Sequence, residues 1–171
     1  MMERRGTCRL RRISGVLLVT ALCAGSAVHA AKSRLAWERF QHAEWFTVRS
    51  LEAVPPQVLD GLRSRFEDPR IADVGESFDA TDVRTGLPTR RLVLAGHAAS
   101  DWFVVYEQGG RGHHLVFVDF ETTPRLRPVL LATGTPGVHD DVRGWQLDVP
   151  ALAHGLEAGS MQWGDPDASR Y

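Results

Sequence analysis

The side chains best suited to proton transfer or anion binding cluster in the middle of this 171-residue chain: Arg90 and Arg91, Glu107, and His113 and His114. If Gly109-Gly110-Arg111-Gly112 is the hairpin loop, Gln108 faces His113, Glu107 faces His114 and, one strand back, Arg90 lies beside Glu107. Directly opposed residues share a sheet face, so Arg90, Glu107 and His114 form a row across three strands. A carboxylate between a guanidinium and an imidazole stays ionised and raises the imidazole's affinity for a proton. That is an acid/base or anion-binding arrangement, or alternatively a salt bridge closing the end of the core. No nucleophile accompanies it: Ser77, Ser100 and Ser160 sit in no strand-to-helix elbow.

Other motifs are weaker on geometry. His113 and His114 are neighbours on a strand and point to opposite faces. His97 lies at the other end of the strands, about 20 Å away at about 3.3 Å per residue, whereas a zinc ligand sits at about 2.0 Å. His139-Asp140-Asp141 is the compact donor cluster, without a second histidine at hand. No metal and no cofactor is therefore assigned. The glycine loop is a hairpin turn rather than a phosphate cradle, because phosphate loops lead into a helix and a strand follows here. Arg111 at its tip is a candidate contact residue. Trp102 and Tyr106 are aromatic binding candidates if their sheet face is open, and core residues if a second layer covers it.

These residues need strands to position them. Leu92 to Ala95, Trp102 to Glu107 and Leu115 to Phe120 are dense in β-branched and aromatic residues and bounded by glycine or small polar residues. Loops this short exclude crossovers, so the three form an antiparallel meander. The pairing predicts Leu92, Leu94, Phe103, Val105, Val116, Val118 and Phe120 on one face, and Arg91, Val93, Trp102, Val104, Tyr106, Leu115, Phe117 and Asp119 on the other. Val129 to Ala132 reads as a fourth strand and Gly144 to Leu147 as a short fifth. Pro55-Pro56 opens a helix with Val58, Leu59, Leu62 and Phe66 on one stripe, stopped by Pro69. Asp148 caps a second helix that ends before Gly159. Leu35 to Glu44 is compatible with a helical turn or two, and Glu44 to Arg49 with an edge strand. The expected class is α+β: one antiparallel sheet of four or five strands in a meander, with one or two helices packed on it.

The first thirty residues read as a secretory signal peptide, leaving residues 31–171 as a single globular domain. Arg4, Arg5, Arg9, Arg11 and Arg12 form a positive head, Ile13 to Val28 an apolar body, and Val28-His29-Ala30 a small-residue cleavage site. The body is short of the roughly 20 apolar residues of a membrane span. Contact with a membrane is thus expected only through the leader before cleavage. Leu22 before Cys23, and Ser14-Gly15 after Arg11-Arg12, depart from the lipoprotein and twin-arginine patterns, which leaves ordinary export.

Cleavage changes the charge. Removing five arginines and one glutamate from 20 basic and 21 acidic residues leaves 15 and 20, a formal charge of −5. No nucleic acid partner is expected of such a chain, since backbone binding requires clustered cations. Both cysteines, Cys8 and Cys23, leave with the leader, which excludes thiol chemistry and cysteine metal sites from the remainder.

A leader, a short amphipathic helix and the run from Arg90-Arg91-Leu92 through Trp102-Phe103-Val104-Val105-Tyr106-Glu107-Gln108-Gly109-Gly110 resemble small uncharacterised exported proteins of bacteria. The resemblance covers the middle third of the chain and implies no activity. The expectation is a non-catalytic periplasmic or secreted module that binds another envelope or extracellular protein, or an envelope ligand, through a sheet face or the hairpin tip. The alternative is a small hydrolase or ligand-binding enzyme centred on Arg90, Glu107 and His114, with His139, Asp140 and Asp141 as candidate assisting residues. The leader reading predicts that protein recovered from the envelope or medium begins at Ala31. Amino-terminal sequencing that finds Met1 retained on exported protein contradicts it.

Overall fold

The computed structural model describes residues 34–81, 83, 86–110, 112–123, 125–135, 138–140 and 144–165, with backbone only at 138–140 and 144. The chain parts into two units, Met1–Leu35 and Ala36–Tyr171; the architecture that follows is that of the second. The leader, Arg111 and Asp141 lie outside the described residues, as do the side chains of His139 and Asp140.

In chain order come helix α1 (34–42), strand β1 (Phe46–Val48), a 3-10 turn at Leu51–Ala53, helix α2 (Pro56–Arg63), and strands β2 (Arg90–Ala98), β3 (Asp101–Gln108), β4 (His114–Glu121) and β5 (Arg127–Gly134). A short ribbon of β6 (Val138–Asp140) and β7 (Gly144–Gln146), helix α3 (Val149–Glu157) and strand β8 (Met161–Trp163) complete it. One antiparallel sheet runs β1-β2-β3-β4-β5-β8, and β6 pairs with β7 apart from it. The α+β class with a single main antiparallel sheet is as expected. The strand at Gly144 exists but belongs to the ribbon, and β1 and β8 extend the main sheet to six strands.

The helices form where local chemistry favours them. Pro56 opens α2, where its missing N–H would be unpaired anyway, and Val58, Leu59 and Leu62 are buried along one stripe. The Asp148 carboxylate accepts a hydrogen bond from Ala151 N at 2.8 Å, capping α3. Gly159, at φ 74°, lies just beyond the helix end.

Both sheet faces are covered. Val58, Leu59 and Leu62 of α2, with Phe66, pack on Leu92, Ala95, Val104, Tyr106, Val116, Val118 and Phe120. On the opposite face Ala36 and Phe40 of α1 and Leu152 and Leu156 of α3 pack on Leu94, Phe103, Val105, Leu115 and Phe117. The sheet is the middle layer of three, so its strands are apolar on both sides rather than alternating.

The register differs from expectation by one residue. Glu107 pairs with Leu115, Val105 with Phe117 and Phe103 with Asp119, where the sequence pairing had put Glu107 opposite His114 and Phe103 opposite Val118. Arg91, not Arg90, lies opposite Glu107. A one-residue slip exchanges the faces of a strand, so Leu115, Phe117 and Asp119 join Phe103 and Val105, while Val116, Val118 and Phe120 join Trp102, Val104 and Tyr106.

The cause is the loop, which runs from Gly109 through His113 and is one residue longer than the glycine run suggests. Gly110 and Gly112 take positive φ, 96° and 77°. Gly109 N donates to Thr89 O at 2.8 Å and Gly110 N to Ala80 O at 3.0 Å. The Asp79-Ala80 backbone passes so close that a Cβ on Gly109 would meet Asp79 O at 2.0 Å. Between Leu92 and Leu94 a bulge shifts the β2–β3 ladder, and Val93 O accepts from Arg49 Nη1 at 3.3 Å. Arg49 Nη2 also reaches Leu147 O at 2.6 Å, tying β2 to the segment before α3.

Gly109→Ala is expected to destabilise the domain by about 2–3 kcal/mol, as steric intrusion in a packed site does. Urea unfolding at unchanged m-value measures it. A loss within about 0.5 kcal/mol, the range of an ordinary surface change, contradicts the close approach.

Candidate functional site

The expected row of Arg90, Glu107 and His114 does not form. Arg90 lies on the α2 face, its guanidinium 4.0 Å from the centre of the Phe66 ring and Nη1 donating to Asp68 O at 3.2 Å. Burial pushes Arg90 down from the usual guanidinium range, opposed by Tyr106 and Asp68. The His114 imidazole is hydrogen-bonded through Nδ1 to Gly112 O, and its strand position faces Gln108 on β3. Tyr106 is fully buried, edge-on to Phe66 at 5.3 Å, and is core rather than contact surface. Trp102 is half-buried, beside His97 at 4.9 Å.

A triad of the expected types does assemble from the neighbouring residues. Arg91 Nε donates to Glu107 Oε1 at 2.5 Å, and His113 Nε2 lies 2.9 Å from Glu107 Oε2. Arg91 also donates through Nη1 to Glu76 O at 3.1 Å, and its guanidinium stands 4.4 Å over the Phe78 ring. His113 packs beside Phe78 and Trp145. Glu107 is 1% exposed with both oxygens engaged, and a hollow of about 150 Å³ beside it is lined by Arg49, Arg91, Trp145 and Gln146. The arrangement ties the 76–78 segment and the hairpin to the sheet. No serine or threonine hydroxyl lines the hollow among the described residues.

At the opposite end of the same face is a site the sequence reading did not single out. Asp101 of β3 and Asp119 of β4 line a cleft of about 390 Å³ with Arg39, Phe40 and Ala43 of α1 and its C-terminal end, Glu44, Trp45, Phe46, Ala98 and Ala99. Phe40 and Trp45 rest on Phe103 at 5.5 and 4.9 Å, and Trp45 Nε1 donates to Phe40 O at 2.9 Å. Phe103 and Phe117, the latter at 5.1 Å from Phe40, thus back the wall that Phe40 and Trp45 make. The rim includes Ala99 at φ 51° in the Ala99-Ser100 turn, a backbone region that alanine seldom occupies.

Asp119 is 3% exposed, and its Oδ1 meets no hydrogen-bond donor among the described residues. Burial, reinforced by the charge of Asp101 and opposed by Arg39 and by a hydrogen bond from the Phe120 backbone, pushes its carboxyl up to about 8. Burial also raises Asp101, again opposed by Arg39. Arg39 itself is half-exposed, 3.4 Å from Glu121 Oε1 and 3.9 Å from Asp101 Oδ2. Glu121 is engaged in addition by Arg127, and these hydrogen bonds hold it below the usual carboxylate range. The β4–β5 ladder shifts register between Asp119 and Phe120, and bulges of this kind recur next to functional sites.

The clue in the sequence was an aspartate inside Leu115-Val116-Phe117-Val118-Asp119-Phe120. Its significance depends on α1 closing over the strand, a contact between residues some eighty positions apart. Among the described residues, no group of three or more His, Cys, Asp or Glu is placed to hold a metal ion, and no helix is long and apolar enough to cross a membrane. Comparison with known protein families, curated proteins and solved structures finds no match.

The raised Asp119 carboxyl makes stability depend on pH with a definite sign. The folded state keeps its proton up to about pH 8 while the unfolded state releases it near 3.8. Stability is therefore greatest below pH 3.8 for this group and falls as pH rises toward 8. Asp119→Asn removes that fall. At pH 7 the variant is expected to be more stable by on the order of 2 kcal/mol, read as a higher melting temperature, with the slope between pH 4 and 8 reduced. A variant less stable than the parent across that range contradicts the assignment.

Proposed function

We propose that the domain is a non-catalytic binding module of the periplasm or cell exterior, and that its ligand is a small molecule seated in the cleft beside Asp119. The observation that carries this reading is a buried carboxyl oxygen without a donor among the described residues, at the edge of a cleft whose apolar walls are Phe40, Trp45, Ala43, Ala98 and Ala99. Pockets for small ligands commonly combine apolar walls with a few polar groups and span about 300–1,000 Å³. At about 390 Å³ the cleft is in that range.

Two other observations favour a small ligand here. Helices cover both faces of the central sheet, so Tyr106 is not available to a protein partner. Glu107 is saturated by Arg91 and His113, which suits a structural clamp better than a reaction centre. The leader supports placement outside the cytoplasm.

A thermal-shift panel of small aromatic amphiphiles tests the reading. A ligand at ten times its dissociation constant contributes about 1.4 kcal/mol, or a rise of roughly 3–5 °C for a domain of this size. Ala43→Phe, which narrows the cleft, is expected to abolish the rise without preventing folding. A panel with no binder, or binding unaffected in a folded Ala43→Phe variant, overturns the proposal.

A further inference from the structure

We infer that the cleft selects an organic ammonium: a positively charged nitrogen that meets the Asp119 carboxylate, carried on an apolar body of about one aromatic ring. The inference rests on the binding-module reading above and adds the chemical class of the ligand.

Charge complementarity comes first. The charged groups on or beside the cleft are Glu44 after α1, Arg39 of α1, Asp101 of β3, Asp119 and Glu121 of β4, and Arg127 of β5, which Glu121 holds. Four are acids and two are bases. The guanidinium of Arg39 lies toward Glu121 and Asp101, while Asp119 Oδ1 has no donor among the described residues. An ammonium supplies the donor that Oδ1 lacks together with a positive charge, whereas a carboxylate ligand would add to the acidic excess. A buried charge without a partner is strongly disfavoured, which accounts for the raised Asp119 carboxyl and leaves a specific gain for a cation that enters.

The walls argue against an inorganic ion. Calcium takes six to eight oxygen ligands and magnesium six, and the described residues offer no such set. Phe40 and Trp45 instead offer apolar and aromatic surface, which attracts organic cations through the ring faces as well as by burial, while the Phe46 ring is stacked on His97 across the sheet. Ala43, Ala98 and Ala99 leave the space that a ring would fill.

Binding is linked to proton release. Asp119 is protonated below about pH 8 in the free protein, and the ammonium favours its ionised form, so a proton leaves Asp119 as the ligand enters. Affinity for an ammonium therefore rises between pH 6 and 8, whereas an uncharged alcohol of the same shape gains nothing over that interval. Asp101 and Glu121 add to the local negative potential and Arg39 subtracts from it.

The test is titration of the protein with 2-phenylethylamine, 2-phenylethanol, 3-phenylpropanoate and calcium chloride, followed by the indole N–H signal of Trp45 in NMR. The amine is expected to bind at least about tenfold more tightly than the alcohol or the carboxylate, and more tightly at pH 8 than at pH 6. Asp119→Asn is expected to erase that preference while leaving the alcohol's affinity within about twofold; retained alcohol binding also shows that the variant is folded. If the alcohol, carboxylate or calcium binds as well as the amine, or the preference survives Asp119→Asn, the ammonium assignment falls and the binding-module reading stands. If none of the probes perturbs Trp45, the module reading falls and takes this inference with it.

Discussion

The arrangement depends on one close approach: the Asp79-Ala80 backbone running against Gly109 at the start of the β3–β4 loop. Only a residue without a Cβ fits there, and hydrogen bonds from Gly109 and Gly110 to Thr89 and Ala80 hold it. With Gly110 and Gly112 both at positive φ, the turn closes around Gly109 to His113 and sets the phase of β4 against β3. That phase puts Glu107 and Asp119 on one face of one ladder, near its two ends. A turn one residue shorter would place them on opposite faces.

These two acids show how surroundings assign roles to the same functional group. Glu107 is as buried as Asp119, yet Arg91 and His113 occupy both its oxygens, and the charged form is satisfied in place. Asp119 is buried among aromatic rings, with a second acid nearby and the Arg39 guanidinium turned toward Glu121. Desolvation that Arg39 and the Phe120 backbone N–H only partly offset moves its proton affinity into the range where pH and ligands act. The first acid ties segments together; the second is held at the edge of a cleft, at the cost of stability near neutral pH.

Much of the fold was legible in the sequence because local signals were strong and agreed with one another. Pro56 and the Val58-Leu59-Leu62 stripe located α2, Asp148 located α3, and the β-branched runs located β2 to β5. The edge strand at Phe46–Val48 and the helix at 34–42 were foreshadowed by Glu44 to Arg49 and Leu35 to Glu44. β8 was not, since Met161-Gln162-Trp163 carries no alternation and becomes a strand through pairing with Ala132, Thr133 and Gly134. The composition of the central polar triad was legible but its members were not. Arg-Arg and His-His pairs make adjacent residues equivalent by type, and only loop length and the bulge at Val93 choose between them. The cleft was hidden for another reason: its walls come from α1, the β2–β3 turn and β4, and no local pattern records their meeting.

Strand phase is therefore the measurement that decides most. In a long-range NOE spectrum, backbone cross-strand contacts are expected for Phe103 with Asp119, Val105 with Phe117 and Glu107 with Leu115, the pairs of the structure. Contacts instead between Phe103 and Val118, Val105 and Val116, and Glu107 and His114 would separate Asp119 from Phe103, dissolve the Glu107 triad and contradict the account.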